Sequence, residues 1–260
     1  MERDAFAKKL PKRAEKKTFR ERQQQAGRVV QARKNAESGL RKRFHDAGVS
    51  YPARVLHLRA FKKEGEVELW AGNQKSKGLK KVHTFKVCAA SGLLGEKTEQ
   101  GDFQVPEGFY VVNRYNAWSS YHLSLGIDYP NRSDRLRRKN RKQTTSLGGD
   151  IFIHGDCVTI GCLPLENGPI EELYLALLDS KLKYYTKTSV HLYPGRMNND
   201  DMPGLQRLLT QSQGVHSPDS ASETWRRWQQ LQRGYLAFEK THRVPSIRID
   251  ARGDYQIKAK

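Results

Sequence analysis

The stretch ARVLHLRAF, residues 53–61, sets Val55, His57 and Arg59 against Leu56, Leu58 and Ala60, the two-residue alternation of a β-strand. EVELWAG (66–72) alternates around Val67 and Leu69 and runs into a Gly-Asn turn, and HTFKVCAA (83–90) supplies a third strand. The three predict an antiparallel meander with short turns. QVPEGFYVVNRY adds a strand after a Pro-Glu-Gly turn, and YHLSLGIDYP continues the β character. DIFIHG (150–155) is a nearly unbroken apolar strand that fits a buried position. PIEELYLALLDSK (169–181) reads as a helix with a broad apolar face and Pro169 in its first turn. SVHLYPG (189–195) predicts one more strand. In ETWRRWQQLQRGYLAFEKTHR (223–243), Trp225, Trp228, Leu231, Tyr235 and Phe238 recur at helical steps, which suits core contacts better than a base-stacking platform. Residues 198–222 read as polar loop, and 245–258 as a hairpin turning at Arg252-Gly253-Asp254. SDRLRRKNRKQTTSLGG (133–149) reads as a basic solvated loop, with a substrate-side flap as the alternative.

Residues 1–50 are basic and rich in good helix formers, with apolar residues only at Phe19, Val29, Val30, Leu40 and Phe44 in the helix-prone part. This predicts a solvated helix or two packing weakly on the body, with a polyanion-binding arm as the sharper reading. The pattern breaks at Tyr51-Pro52. The chain therefore divides into a basic helical segment (1–50), a β-rich domain (53–197), and a C-terminal helix with a hairpin packed on that domain (198–260). The expected class is mainly β within an α+β whole, with helices flanking at both ends.

With 260 residues and a net charge of +19, the chain is long enough for a sizeable core and attracts polyanions such as nucleic acid, anionic lipid or wall polymers. A mean hydropathy of −0.80 fits a soluble, polar protein, and no apolar run approaches the length of a membrane span. The first residues lack the apolar core of a secretory signal, so export needs a signal already removed or another route. Three cysteines, Cys88, Cys157 and Cys162, argue against a disulfide-stapled scaffold and suit a free reactive thiol.

The run IFIHGDCVTIGC (151–162) concentrates the chemistry. Its residues allow a metal site, a Cys157–Cys162 disulfide, a buried strand with incidental polar atoms, or a nucleophile with its base. No second histidine and no Cys-x-x-Cys pair stands near His154, so no metal or cofactor is expected. A thiol needs a base within reach to become a thiolate near neutral pH. A backbone carbonyl suffices to fix that base's tautomer. Gly155 relaxes the chain beside His154, and Gly161 lets it turn to offer N–H donors to an oxyanion.

IHG followed by TIGC resembles the L,D-transpeptidase catalytic domain of the YkuD type, which carries an Ile-His-Gly strand and a Ser/Thr-x-Gly-Cys corner. GLLGEKTEQGDFQVPEGFYVV is similar to that family's Gly-Asp-x-x-Thr-Pro-Glu-Gly-x-Tyr stretch, with Val105 in the threonine's place. SSYHLSLGIDYPNRSDR and VHLYPGRM resemble its YafK-like subgroup. The likeness covers about residues 53–197 and continues weakly to the final hairpin. It implies a transpeptidase-like β-sandwich with Cys162 as nucleophile and His154 as base. The Gly155 carbonyl would orient the imidazole, and the N–H groups of Gly161, Cys162 and Ile160 would form the oxyanion hole. The chain departs from the wider family with Ile160 where histidine is usual, Pro164 where asparagine or arginine is usual, and a shorter His-to-Cys gap. The subgroup shares the first and third changes. Tyr121, His122 and Arg114 are the candidates for the substrate contact that Pro164 cannot make, although His122 reads first as a packed or surface strand histidine. Cys157 reads as a packing residue, with a redox partner for Cys162 as the alternative.

The resemblance implies thiol-based acyl transfer on peptidoglycan stem peptides, ending in a cross-link, an anchored protein, or hydrolysis that releases a wall-attached lipoprotein. Such work belongs in the periplasm or cell envelope, or to a secreted wall-directed effector. The rival is a basic nucleic-acid- or polyanion-binding protein without catalysis, for which the sequence shows no recognised module.

Overall fold

The computed structural model describes residues 17–74, 76–211 and 218–258. Strands β1 (Val55–Phe61), β2 (Glu66–Gly72) and β3 (Lys80–Lys86) form the expected antiparallel meander. β1 also pairs, in parallel, with β8 (Ser189–Tyr193), which lies antiparallel to β4 (Gly108–Asn116). β4 continues antiparallel to β5 (Ser124–Ile127) and β5 to β6 (Phe152–His154), and β6 runs parallel to the short β7 (Leu163–Pro164). The result is one mixed, curled sheet in the order β3-β2-β1-β8-β4-β5-β6-β7. With its helices it gives the α+β fold expected.

Both faces of the sheet's centre are covered. Leu56, Leu58 and Ala60 of β1 share a core with Val29, Leu40 and Phe44 of α2 (Gly27–Asp46) and with Leu173 and Leu177 of α4 (Asn167–Tyr184). Phe61, Phe109 and Tyr193 pack instead on Trp228, Leu231 and Tyr235 of α6 (Pro218–Thr241) and on Leu205 of α5 (Met202–Gln211). The polar positions of β1 are therefore buried too. Arg59 is 1% exposed, lies 4.8 Å from the Tyr235 ring and 4.7 Å from the Phe238 ring, and meets Glu239 at 2.6 Å. A buried guanidinium persists only when such partners offset its lost hydration.

The N-terminal segment packs more tightly than its sparse large apolar residues predict. A short helix, α1 (Phe19–Gln25), leads into α2, where Val29, Ala32, Ala36, Leu40 and Phe44 form a buried stripe. Alanines complete the helical spacing and allow close approach to α4. Arg33–Asp179 (2.5 Å) and Arg43–Glu172 (2.9 Å) flank that contact. Residues 1–16, the first part of the proposed polyanion-binding arm, lie outside the described residues.

Two loop expectations are overturned. Within 133–149 the chain forms α3 (Arg132–Asn140), because Asn131 accepts from Ser133 N and Asp134 N while Asp134 accepts from Asn131 N, a reciprocal cap that starts the helix. Within 198–222, α5 forms where Met202, Leu205 and Leu209 line one face. The C-terminal hairpin, β9 (Ser246–Ile249) with β10 (Tyr255–Lys258), turns through Arg252-Gly253-Asp254 as expected. Among the described residues no helix is long and apolar enough to cross a membrane.

Candidate active site

The parallel β6–β7 pair brings the two reactive side chains onto neighbouring strands. Ile153 faces Leu163 and His154 faces Pro164, so Cys162, just before β7, comes alongside Phe152. Strand rise and spacing put the His154 and Cys162 Cα atoms roughly 8 Å apart, within reach of an imidazole and a thiol.

His154 is 2% exposed, and its Nδ1 lies 2.5 Å from the Gly155 carbonyl oxygen. A carbonyl only accepts, so Nδ1 carries the proton and Nε2 keeps a free lone pair. The Tyr121 ring covers the imidazole at 4.9 Å. Burial pushes the His154 pKa below the usual imidazole value, against the opposing pull of the Gly155 bond and the Asp156 charge. The ring is thus held neutral, with Nε2 open to take a proton.

The Cys162 thiol is the free one among three cysteines. It accepts from Phe152 N at 3.4 Å and donates to the Asp150 carbonyl at 3.7 Å; no hydrogen bond joins it to His154 in this arrangement. Burial raises its pKa, the Phe152 N–H lowers it, the Asp150 charge raises it and Lys97 lowers it. The resting pair is therefore neutral thiol and neutral imidazole. Proton transfer then accompanies attack, after a side-chain rotation that turns the sulfur toward Nε2.

The corner 159–162 explains its own sequence. Gly161 has φ +130° and is packed against the Gln104 carbonyl oxygen, which an added Cβ would meet at 3.2 Å. Its N–H and that of Cys162 both donate to the Thr159 hydroxyl, at 3.2 and 2.8 Å, and that hydroxyl donates to the Cys162 carbonyl at 2.9 Å. Two amides converge on one oxygen, the arrangement an oxyanion needs, and here the oxygen is the protein's own. Ile160 is 76% exposed at the rim. Gly155 is required by space and not by conformation: an added Cβ would lie 2.5 Å from Asn167 Oδ1 and 2.8 Å from His122 Cβ.

The three substrate-contact candidates fall differently. Tyr121 stands at the mouth, about half-exposed, against His154. Arg114 pairs with Asp150 at 3.0 Å and lies over the Phe152 ring, close to the thiol's carbonyl partner. His122 instead turns to α4, with Nε2 2.8 Å from Glu171 Oε1. A cavity of about 510 Å³ opens beside Cys162, lined among others by Lys62, Cys88, Leu93, Val105 and Leu163.

Both cysteine expectations are corrected. Cys88 and Cys157 form a disulfide, so Cys157 is neither a free packing residue nor the partner of Cys162. The bond ties the loop between His154 and Cys162 to the segment after β3, whose Cys88 N–H also donates to Pro164 O at 3.1 Å. Thr159 is the functional candidate that motif reading passed over, although a hydroxyl two and three residues before the amides it caps is a recognisable local pattern. Among the described residues no group of three or more His, Cys, Asp or Glu side chains is arranged to hold a metal ion.

The L,D-transpeptidase catalytic domain (YkuD) family matches residues 62–192. "Putative L,D-transpeptidase YafK" of Escherichia coli K12 is 30% identical over 196 residues, covering 75% of this chain and 70% of that protein. Among solved structures, the helical cell shape determining protein Pgp2 of Campylobacter jejuni is similar over 76% of this chain and 73% of its own, at 18% identity and a TM-score of 0.42. Bd1075 of Bdellovibrio bacteriovorus covers 76% of this chain and 77% of its own, at 15% identity and a TM-score of 0.38. The chain belongs to the YkuD family of L,D-transpeptidase catalytic domains.

Proposed function

We propose that this protein is a cysteine-dependent acyl transferase or hydrolase of peptidoglycan stem peptides. Cys162 Sγ attacks the amide carbonyl on the L-configured side of a terminal D-residue as its proton passes to His154 Nε2. The carbonyl oxygen takes the place of the Thr159 hydroxyl at the amides of Gly161 and Cys162, with the Ile160 N–H as the third donor. His154 then protonates the leaving amine and a thioester remains on Cys162. An amine acceptor resolves it to a cross-link or an anchored protein, and water resolves it to a shortened stem or a released wall-attached lipoprotein.

The observation that carries this reading is the convergence of two amides on one oxygen beside the free thiol, next to an imidazole whose Nδ1 is already committed. Family membership supports peptidoglycan as the substrate. The Cys88–Cys157 disulfide supports an oxidising compartment, which suits the periplasm or cell envelope. The test is chromatography of defined muropeptides after incubation with wild type, Cys162→Ala and His154→Gln. Wild type alone should give cross-linked or shortened stems, and the product separates transfer from hydrolysis. Unchanged muropeptides in all three reactions refute the reading.

A further inference from the structure

We infer that α2, outside the matched family domain, is a working part of the catalytic wall, with Arg28 and Asn35 as positioning residues for His154. The inference rests on His154 being the base. Arg28 Nη1 donates to the carbonyls of Ser119 and, at 2.6 Å, His122, closing the turn that carries Tyr121. His122 sits at φ +58°, a conformation that a non-glycine residue keeps only when its surroundings hold it there. Arg28 holds its carbonyl. Glu171, 4% exposed, holds its ring at 2.8 Å and in turn accepts from Asn35 Nδ2 at 3.0 Å. Two residues of α2 thus grip His122 from its two ends.

The turn passes this order to the imidazole. Gly155 N donates to Tyr121 O and Leu123 O, both at 3.1 Å, which fixes the Gly155 peptide. The carbonyl of Gly155 fixes His154 Nδ1, and the Tyr121 ring covers the imidazole. Losing Arg28 frees His122 to relax, and Tyr121 and the Gly155 peptide move with it. Arg28 and Asn35 lie before residue 62, where the family match begins.

The test reads Cys162 alkylation by iodoacetamide against pH, which needs no wall substrate. Wild type compared with His154→Gln first shows whether an inflection depends on His154; its absence fails the base assignment itself and with it this inference. Given that inflection, Arg28→Met should slow alkylation at pH 7 by about tenfold, less than the roughly hundredfold cost of a 1 Å misplacement, and move the inflection toward the ordinary imidazole value. Arg28→Lys, which keeps a donor, should restore most of the rate. Thermal melting monitors the fold; if Arg28→Met does not fold, Asn35→Ala reads the same relay from the Glu171 side. Wild-type rate and inflection in a folded Arg28→Met, or in Asn35→Ala where that variant is the one read, overturn the inference.

Discussion

Replacing both Cys88 and Cys157 with serine removes a cross-link between residues 69 apart in sequence. In the chain-entropy account, closing a loop of that size takes about 4 kcal/mol of freedom from the unfolded state. For a chain of this length that corresponds to a melting temperature lower by about 10 °C. The loss should also be felt at the site, because Cys157 lies in the loop between His154 and Cys162, and the tether holds that loop against the segment beside β7. The assay is thermal melting of wild type, wild type with reductant, and the double variant, each in a Cys162→Ala background to prevent thiol exchange. A thiol count on denatured, unreduced protein with Cys162 intact should give one free thiol, rising to three on reduction. A melting shift below about 2 °C in the double variant, or three free thiols without reductant, would refute the reasoning.

Gly155→Ala forces a methyl against Asn167 Oδ1, His122 Cβ and Ile170 Cγ2, so it should cost about 1–3 kcal/mol of stability and lose activity as the carbonyl moves off His154; a variant with wild-type melting and turnover contradicts the packing argument. The pH profile follows from the lowered His154 pKa. The base form is neutral, so activity is kept as pH falls until the depressed folded pKa is reached, and the acid limb of kcat/KM should lie below the ordinary value of 6.5. A limb at or above 6.5 would show that burial does not govern this ring.

The strands were legible because alternation survives in their sequences, yet the meaning of the polar positions was not. His57 and Arg59 look solvent-facing, but Phe238 and Glu239 of α6, about 180 residues away in sequence, cover them, which no local pattern encodes. The helix α2 was undervalued because Ala32 and Ala36 carry no hydrophobic signal while completing its buried stripe. The polar helix α3 lacks apolar periodicity, and only the pair Asn131 and Asp134 marks its start. His154 and Cys162 could be named from motif order, because the corner that presents them is local. The Cys88–Cys157 pairing could not, since it depends on how the segment after β3 reaches β7 across the fold. His122 takes the packed reading: its Cβ lies against Gly155 while the fold turns its ring toward Glu171.

The most direct test of the central claim is the intact mass of the protein after brief incubation with a defined muropeptide, followed by peptide mapping. The account predicts a mass gain equal to the acyl part of the stem, located on Cys162, lost on treatment with hydroxylamine and absent from Cys162→Ala. Stem turnover without acylation of Cys162, or turnover by Cys162→Ala, would contradict it.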